Sequence, residues 1–389
     1  MAEAKTLFPA TQGAAEGAPM GAPRTGILPY QQLRAMLREH EIVAIPDLVP
    51  DQIQPASVDL RLGATAYRVR ASFLPGRATS VRDRIEQLDA YAIDLSNGAV
   101  LEKGCVYVVP LMEQLALSPS SGVTGFANPK SSTGRLDVLT RLIADRSDSF
   151  DQVERGYQGP LYVEIAPRTF SIVVRAGTRL NQLRFRRGSP QIAVTEIQRM
   201  HEQGQLVLGD AEPNIREKLV GVTIDLEGEG PGALIGYRAK KHTDRIDIDK
   251  IAAYDPLDFW EPIHFRRHRS IVLDPNEFYI LMTREAVRVP PDFAAEMVAY
   301  DTAVGEFRVH YAGFFDPGFG WDTTGGVCKA VLEVRSHEVP FMLEHGQTVG
   351  WLRYERMMAR PDRLYGAAIG STYLNQGLAL AKQFRPPAG

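Results

Sequence analysis

Two stretches of the sequence repeat each other, and this repeat constrains the fold more than any other feature. Residues 171–185 resemble residues 340–354, which lie 169 positions later. Two shorter pairs follow in the same order, with residues 162–165 matching 331–334 and residues 105–109 matching 277–281. Matched segments in a conserved order indicate two tandem copies of one domain.

The repeat divides the 389-residue chain into four parts. Residues 1–26 are rich in Ala, Gly and Pro and predict a disordered N-terminal tail. We expect the first domain at 27–200, a polar linker at 201–220 and the second domain at 221–389.

Short runs of alternating apolar residues predict strands. Val58 and Leu60 alternate with polar residues, as in a half-buried strand. Leu33 and Met36 instead follow a helical period within residues 29–39. Helical periodicity is otherwise scarce, so the sequence predicts a mainly β fold with a few short helices.

The composition excludes several classes of protein. Hydrophobic residues make up 44% of the chain and the net charge is −3, which excludes a mostly disordered chain. The charge gives no support for a nucleic-acid partner. Two cysteines, Cys105 and Cys328, are too few for a disulfide framework. Without a signal-peptide pattern or a long apolar segment, we expect a cytoplasmic protein with no membrane partner.

Residues 129–135 gather cations and hydroxyls into one short loop. Lys130 and Arg135 flank Ser131 and Ser132. Hydroxyls and backbone N–H groups hold phosphate oxygens, and an Arg adds a forked contact. The spacing is not that of a Walker A loop. Considered alone, the loop is explained slightly better by a polar turn that caps the following apolar stretch than by a phosphate site.

Two carboxylates occupy matching places in apolar strands. Glu164 lies between Val163 and Ile165, and Glu333 has the same setting in the second copy. Either could serve as a general base, or could simply face solvent from a half-buried strand. Residues 311–320 add Gly, Pro and aromatic residues, which indicate either a wall for a flat ring or an ordinary loop.

The sequence predicts no metal site in the protein. Its eight histidines form no His-Glu-x-x-His pattern, and the two cysteines form no Cys-x-x-Cys pair. The signature of the zinc nucleobase deaminases is also absent.

Taken in order, these segments resemble the dCTP deaminases of the dUTPase-like superfamily. The resemblance rests on residues 54–63 (QPASVDLRLG), 130–135 (KSSTGR), 163–165 (VEI), 176–185 and 371–377 (STYLNQG). It covers about residues 27–389 and implies a long form with two tandem copies. Each copy would be a distorted, jelly-roll-like β-barrel.

The resemblance also implies an activity. The chain would hydrolyse dCTP to dUTP and ammonia without zinc, feeding dUMP and dTTP synthesis. Magnesium would accompany the nucleotide triphosphate, held mainly by the phosphates. Homo-oligomers and inhibition by dTTP are further implications of the same resemblance.

The resemblance assigns roles to individual residues. Glu164 would be the general base that takes a proton from the attacking water. Ser131 and Arg135 would sit at the phosphates and the reacting centre. The implied substrate-binding positions are Lys130, Ser132, Ala144, Tyr365 and Gln376, the last two in a C-terminal tail that closes over the nucleotide.

Each copy keeps motifs that the other has lost, which predicts a composite site. The second copy has Asp316-Pro317-Gly318 but lacks the Ser-Ser-x-x-Arg loop, and Thr372 stands where the family has a Lys. The composite site would place Lys130, Ser131 and Arg135 of one copy opposite Ala312, Asp316 and Glu333 of another. We favour Glu164 as the base because it follows the intact loop, with Glu333 as the alternative.

Other functions remain open at this level. The same motifs suit a dUTP diphosphatase or an enzyme that deaminates dCTP and then removes diphosphate. A non-catalytic nucleotide-binding regulator on the same fold, or a structural β-protein, is the alternative from another class.

Overall fold

Short antiparallel strands dominate the chain, as the alternating apolar pattern predicts. The structure is a computed structural model. It describes residues 25–190, 192–209, 214–230, 232–265, 267–298, 307–310 (backbone only), 313–321, 328–336, 338–366 and 377–386. Nearly all of the predicted N-terminal tail lies outside these residues.

The first copy contains three helices and thirteen strands among the described residues. In chain order they are β1 Gly26–Ile27, α1 Tyr30–Arg38, β2 Ile42–Ala44, β3 Val58–Arg61, β4 Thr65–Val69, α2 Val81–Gln87, β5 Tyr91–Asp94, β6 Ala99–Leu101, β7 Val106–Ala116, β8 Val123–Pro129, α3 Ser131–Gly134, β9 Val138–Ala144, β10 Gln152–Val153, β11 Gln158–Pro167, β12 Ile172–Val174 and β13 Arg179–Arg187. A 3-10 turn at Pro50–Gln52 precedes β3.

The second copy repeats this pattern of elements. In chain order they are α4 Val194–Glu202, β14 Val207–Leu208, β15 Ile215–Arg216, β16 Leu219–Thr223, β17 Leu234–Ala239, β18 Ile246–Asp247, α5 Pro256–Phe259, β19 Trp260–His264, β20 Ser270–Leu273, β21 Phe278–Val287, β22 Phe293–Val298, β23 Phe307–His310, β24 Phe314–Phe315, β25 Lys329–Ser336, β26 Phe341–Glu344 and β27 Thr348–Arg356.

The two copies share one sheet order. One sheet runs β5-β4-β7-β11-β9 in the first copy, and its counterpart runs β19-β17-β21-β25-β23 in the second. A second sheet contains β13-β8-β10, matched by β27-β22-β24. Apolar side chains from both sheets of a copy meet in its core, for example Leu60 and Leu183 with Val163. The mainly β, barrel-like fold is confirmed.

The helix predicted at residues 29–39 forms as α1, with Leu33 and Met36 buried against the first core. The second copy opens with a helix in the same place, α4. The stretch expected to be a linker, 201–220, holds the end of α4 and strands β14 and β15. Met200 and Leu206 are buried in the second core, which draws this segment into the domain.

The two copies are joined by strand pairing and by aromatic packing. Strand β18 of the second copy pairs in parallel with β12 of the first. Trp260 is fully buried, and its ring centroid lies 5.3 Å from that of Phe170 in the first copy and 6.0 Å from that of Phe384 near the C-terminus. The apolar core of the first copy therefore continues into the second.

Within the described residues, we find no helix long and apolar enough to cross a membrane.

Candidate active site between the two copies

A cleft of about 490 Å³ opens between the two copies. It brings together seven residues that the sequence analysis selected, which are Lys130, Ser131, Ser132, Arg135, Asp316, Glu333 and Tyr365. The first four belong to the first copy and the others to the second. The two copies thus contribute different side chains to one cavity.

The loop from Lys130 to Arg135 forms one wall of the cleft. Helix α3 makes a single turn here, and residues at its start are hydrogen-bonded to β13. The Lys130 N–H donates to the Leu180 carbonyl at 2.9 Å, and Thr133 Oγ1 donates to the same carbonyl at 2.8 Å. This anchoring leaves the exposed Ser131 and the half-buried Ser132 at the cleft.

Three cations line one end of the cleft. Lys130 forms an ion pair with Asp59, and Arg179 forms a forked pair with Asp51 at 3.0 and 3.1 Å. The Arg179 hydrogen bonds lower the pKa of Asp51. Lys382 is the third cation, and its pKa is lowered by burial and by the charge of Lys130. Positive side chains at this density suit an anionic ligand.

The sequence analysis missed Arg179 and Lys382. Arg179 follows the Gly177-Thr178 turn within a quoted motif, so its position beside a turn was available as a signal. Lys382 carries no such signal, because it reaches the cleft only through the path of the C-terminal segment, residues 377–386.

Glu333 lies on strand β25 and faces the cleft with Val331, as strand alternation requires. Its side chain is only 6% exposed. Burial raises the pKa of Glu333 to about 8, although Arg135 of the first copy acts in the opposite direction. A buried carboxylate with a raised pKa in a cleft is typical of an acid–base group.

Arg135 is itself buried, at 2% exposure, and meets the C-terminal segment. Its Nη1 donates to the Ala379 carbonyl at 2.9 Å. The C-terminal segment therefore contacts the same guanidinium whose charge lowers the pKa of Glu333.

Glu164 does not line the cleft. It occupies the matching position on β11, but Arg141 lies directly opposite it on β9. Glu164 Oε1 accepts hydrogen bonds from Arg141 Nε at 2.9 Å and Nη2 at 2.5 Å, and the Phe150 ring covers that guanidinium at 3.8 Å. The Glu164 carboxylate is thus neutralised within the first copy.

One other selected residue, Ala144, is not among those that line the cleft. Ala144 is buried on β9, where it pairs with Leu161. Ala312 and Gln376 lie outside the described residues, as does Thr372.

Asp316 and three phenylalanines form the opposite wall. Arg184 of the first copy donates to Asp316 Oδ1 at 3.0 Å, while burial raises the pKa of Asp316. Phe314, Phe315 and Phe319 line the cleft, and the Tyr365 ring lies 5.3 Å from that of Phe319. This apolar wall offers faces on which a flat ring could stack.

Among the described residues, no group of three or more His, Cys, Asp or Glu side chains is placed to hold a metal ion. The arrangement in the cleft is a cluster of cations, two of them paired with Asp59 and Asp51, an aromatic wall, and a buried carboxylate near an Arg.

Comparison with known proteins finds one family model for each part of the chain. The model of the 2'-deoxycytidine 5'-triphosphate deaminase N-terminal domain matches residues 24–189, and that of the C-terminal domain matches residues 193–384. The two models divide the chain between β13 and α4.

Two curated relatives resemble part of the chain. A dUMP-forming dCTP deaminase of Beutenbergia cavernae is 30% identical over 149 residues, covering 36% of this chain and 74% of the relative. A dCTP deaminase of Natronomonas pharaonis is 30% identical over 162 residues, covering 41% of this chain and 79% of the relative. Both relatives are therefore about half as long as this chain.

A solved structure resembles the chain over most of its length. The crystal structure of 2'-deoxycytidine 5'-triphosphate deaminase from Agrobacterium tumefaciens is 55% identical, with a TM-score of 0.83, and the match covers 87% of this chain and all of the other. The chain belongs to the 2'-deoxycytidine 5'-triphosphate deaminase family, in a form that carries both family domains.

Proposed function

We propose that this chain hydrolyses dCTP to dUTP and ammonia in the cleft between its two copies, with Glu333 as the general base. One observation carries the proposal: a buried carboxylate with a raised pKa faces the cleft beside Arg135 and the Ser131 loop. The names of the relatives, dCTP deaminase and dUMP-forming dCTP deaminase, support the substrate.

The chemistry balances with one water molecule. Glu333 takes a proton from water as the oxygen bonds to C4 of cytosine, which gives a tetrahedral centre. The proton then passes to the exocyclic nitrogen, the C4–N bond breaks, and dUTP and ammonia leave. Arg135 and Ser131 are donors that can hold the charge of the tetrahedral centre. A base with a pKa near 8 accepts a proton more readily than an ordinary carboxylate.

The cationic end of the cleft would receive the triphosphate. Lys130, Arg179 and Lys382 supply the charge, and the hydroxyls of Ser131 and Ser132 supply hydrogen bonds. Magnesium would enter with the substrate, as the counter-ion of its phosphates. Asp59 and Asp51 now pair with Lys130 and Arg179, and these pairs would rearrange on binding.

The cytosine would lie between Glu333 and the phenylalanine wall. Tyr365 stands at the edge of that wall and is the contact we assign to the closing tail. Asp316 would contribute to substrate binding through the turn that Arg184 holds. Ala312 and Gln376 keep the substrate-binding roles given to them in the sequence analysis.

The proposal moves the general base from Glu164 to Glu333. Glu164 is paired with Arg141 under Phe150, whereas Glu333 shares the cleft with Arg135 and Ser131. The choice follows from placement: Glu333 lines the cleft, whereas Glu164 is not among the residues that line it and is engaged by Arg141. Each chain would then contain one working site rather than two.

The first experiment measures products from dCTP with the purified full-length protein and magnesium. We expect ammonia and dUTP in equal amounts, unchanged by a zinc chelator at a concentration that spares magnesium. Ammonia with dUMP and pyrophosphate would identify a bifunctional enzyme. Binding of dCTP without ammonia release would contradict the deaminase proposal and favour a regulator.

Exchange of each carboxylate for its amide separates the two candidate bases. Glu333→Gln should lower kcat by a factor of about 100 to 10,000, since the base is removed while the shape is kept. Glu164→Gln is the matched control and should retain kcat within about threefold per folded molecule. Circular dichroism verifies folding, and the reverse pattern of losses would contradict the assignment.

The pH dependence should follow Glu333. Only the ionised carboxylate accepts a proton, so kcat/KM should rise with pH and level off above about 8, the pKa of the free enzyme. Below that pKa the decline should approach tenfold per pH unit. Initial rates between pH 6.5 and 9.5 measure this, and a flat profile between pH 7 and 9 would rule out a base with this pKa.

A further inference from the structure

A buried ion pair crosses between the two copies beside the cleft. Arg335 Nη2 on β25 donates to the carboxylate of Asp137 and, at 2.9 Å, to Thr169 Oγ1. The Thr169 hydroxyl donates to Asp137 Oδ2 at 2.6 Å. The Arg335 and Asp137 side chains are 5% and 1% exposed. Arg335 belongs to the second copy, whereas Asp137 and Thr169 belong to the first.

This pair lies two residues from the proposed reacting groups on both sides. The first copy reads Arg135-Leu136-Asp137, and the second reads Glu333-Val334-Arg335. In the first segment the cation precedes the anion, and in the second segment the anion precedes the cation. Arg335 and Asp137 form a direct ion pair, whereas Arg135 acts on Glu333 through its charge.

Local backbone geometry explains why the Arg335–Asp137 ion pair lies close to Glu333 and Arg135. Residues i and i+2 of a strand share a face about 6.6 Å apart, which places Glu333 and Arg335 on one side of β25. Asp137 adopts a left-handed conformation, with φ of 54°, three residues after the end of α3. Leu136 between the charges is fully buried in the first core, which fixes the loop.

We propose that Arg335, Asp137 and Thr169, here called the clamp, are positioning residues that hold Glu333 opposite Arg135. The clamp joins β25 of one copy to the Ser131–Arg135 loop of the other, so it sets the distance between base and guanidinium. This inference rests on the proposed role of Glu333.

Stability alone explains the clamp poorly. Buried ion pairs often contribute no more than well-packed apolar residues of the same size, because both charges lose their hydration. What this pair adds is fixed geometry, because Thr169 hydrogen-bonds both partners and the other guanidinium nitrogen, Nη1, donates to the Asn276 carbonyl. Here that geometry is imposed within two residues of the carboxylate whose placement controls the proposed reaction.

The test uses Arg335→Lys, which keeps the charge but cannot hold Asp137, Thr169 and the Asn276 carbonyl with a planar guanidinium, and Thr169→Val, which removes one hydroxyl at nearly constant volume. Both variants should lower kcat at least tenfold and leave KM for dCTP within about threefold, because the phosphate-binding residues are untouched. Both should also shift the acid limb of the kcat/KM profile, since the surroundings of Glu333 change.

Arg175→Lys is the matched control. Arg175 also crosses between the copies, with a forked pair to Asp247 at 2.8 and 2.9 Å and a hydrogen bond to Asp249 at 2.9 Å, and Arg175 itself does not line the cleft, although Asp249 does. Because the Arg175 side chain is 37% exposed, this control should lower the melting temperature less than the clamp variants do, with kcat and the pH profile unchanged.

Equal effects of the clamp variants and the control on kcat and on the pH profile would overturn the inference. Thr169→Val decides the matter if Arg335→Lys fails to fold. Failure of the proposed function has a different signature: the unaltered chain releases no ammonia, or Glu333→Gln retains the full rate, and either result would also remove the basis of the clamp.

Discussion

The cleft depends on two buried ion pairs that cross between the copies. Arg335 of the second copy meets Asp137 of the first, and Arg184 of the first meets Asp316 of the second. The second copy supplies the cation of the first pair, and the first copy supplies the cation of the other. The Arg335 pair lies on the side of Glu333, and the Arg184 pair lies on the side of the phenylalanine wall. Removing one partner from a buried pair leaves an uncompensated charge, so these contacts strongly disfavour displacement of one copy relative to the other.

The two copies present different side chains to the cleft. The first copy supplies Lys130, Ser131 and Arg135, which suit phosphates and developing charge. The second supplies Glu333 and the aromatic wall. Both copies keep a carboxylate at the same strand position, but in the first copy Arg141 neutralises it. The difference between the two carboxylates lies in their cross-strand neighbours rather than in the strands themselves.

Much of the architecture could be predicted from the sequence. The repeat and the period-two pattern depend on local residues, and both the tandem β fold and helix α1 are confirmed. The assembly of one cleft from both copies followed from motifs that each copy lacks. Those conclusions needed no knowledge of distant contacts.

The details that the sequence could not supply depend on such contacts. The pairing of Glu164 with Arg141 is set by the register of β9 against β11, 23 positions apart along the chain. Lys382 reaches the cleft because Phe384 packs on Trp260 and anchors the segment that carries it. Leu206 and Val207, within the stretch expected to be a linker, are buried in the second core.

The central claim is that one nucleotide binds between the copies, with its cytosine at Glu333. A crystal structure of the full-length Glu333→Gln variant with dCTP and magnesium tests this most directly. The account predicts density in the cleft, with C4 of cytosine beside residue 333 and the phosphates beside Lys130 and Ser131. A nucleotide bound at Glu164, or a base placed away from residue 333, would contradict it.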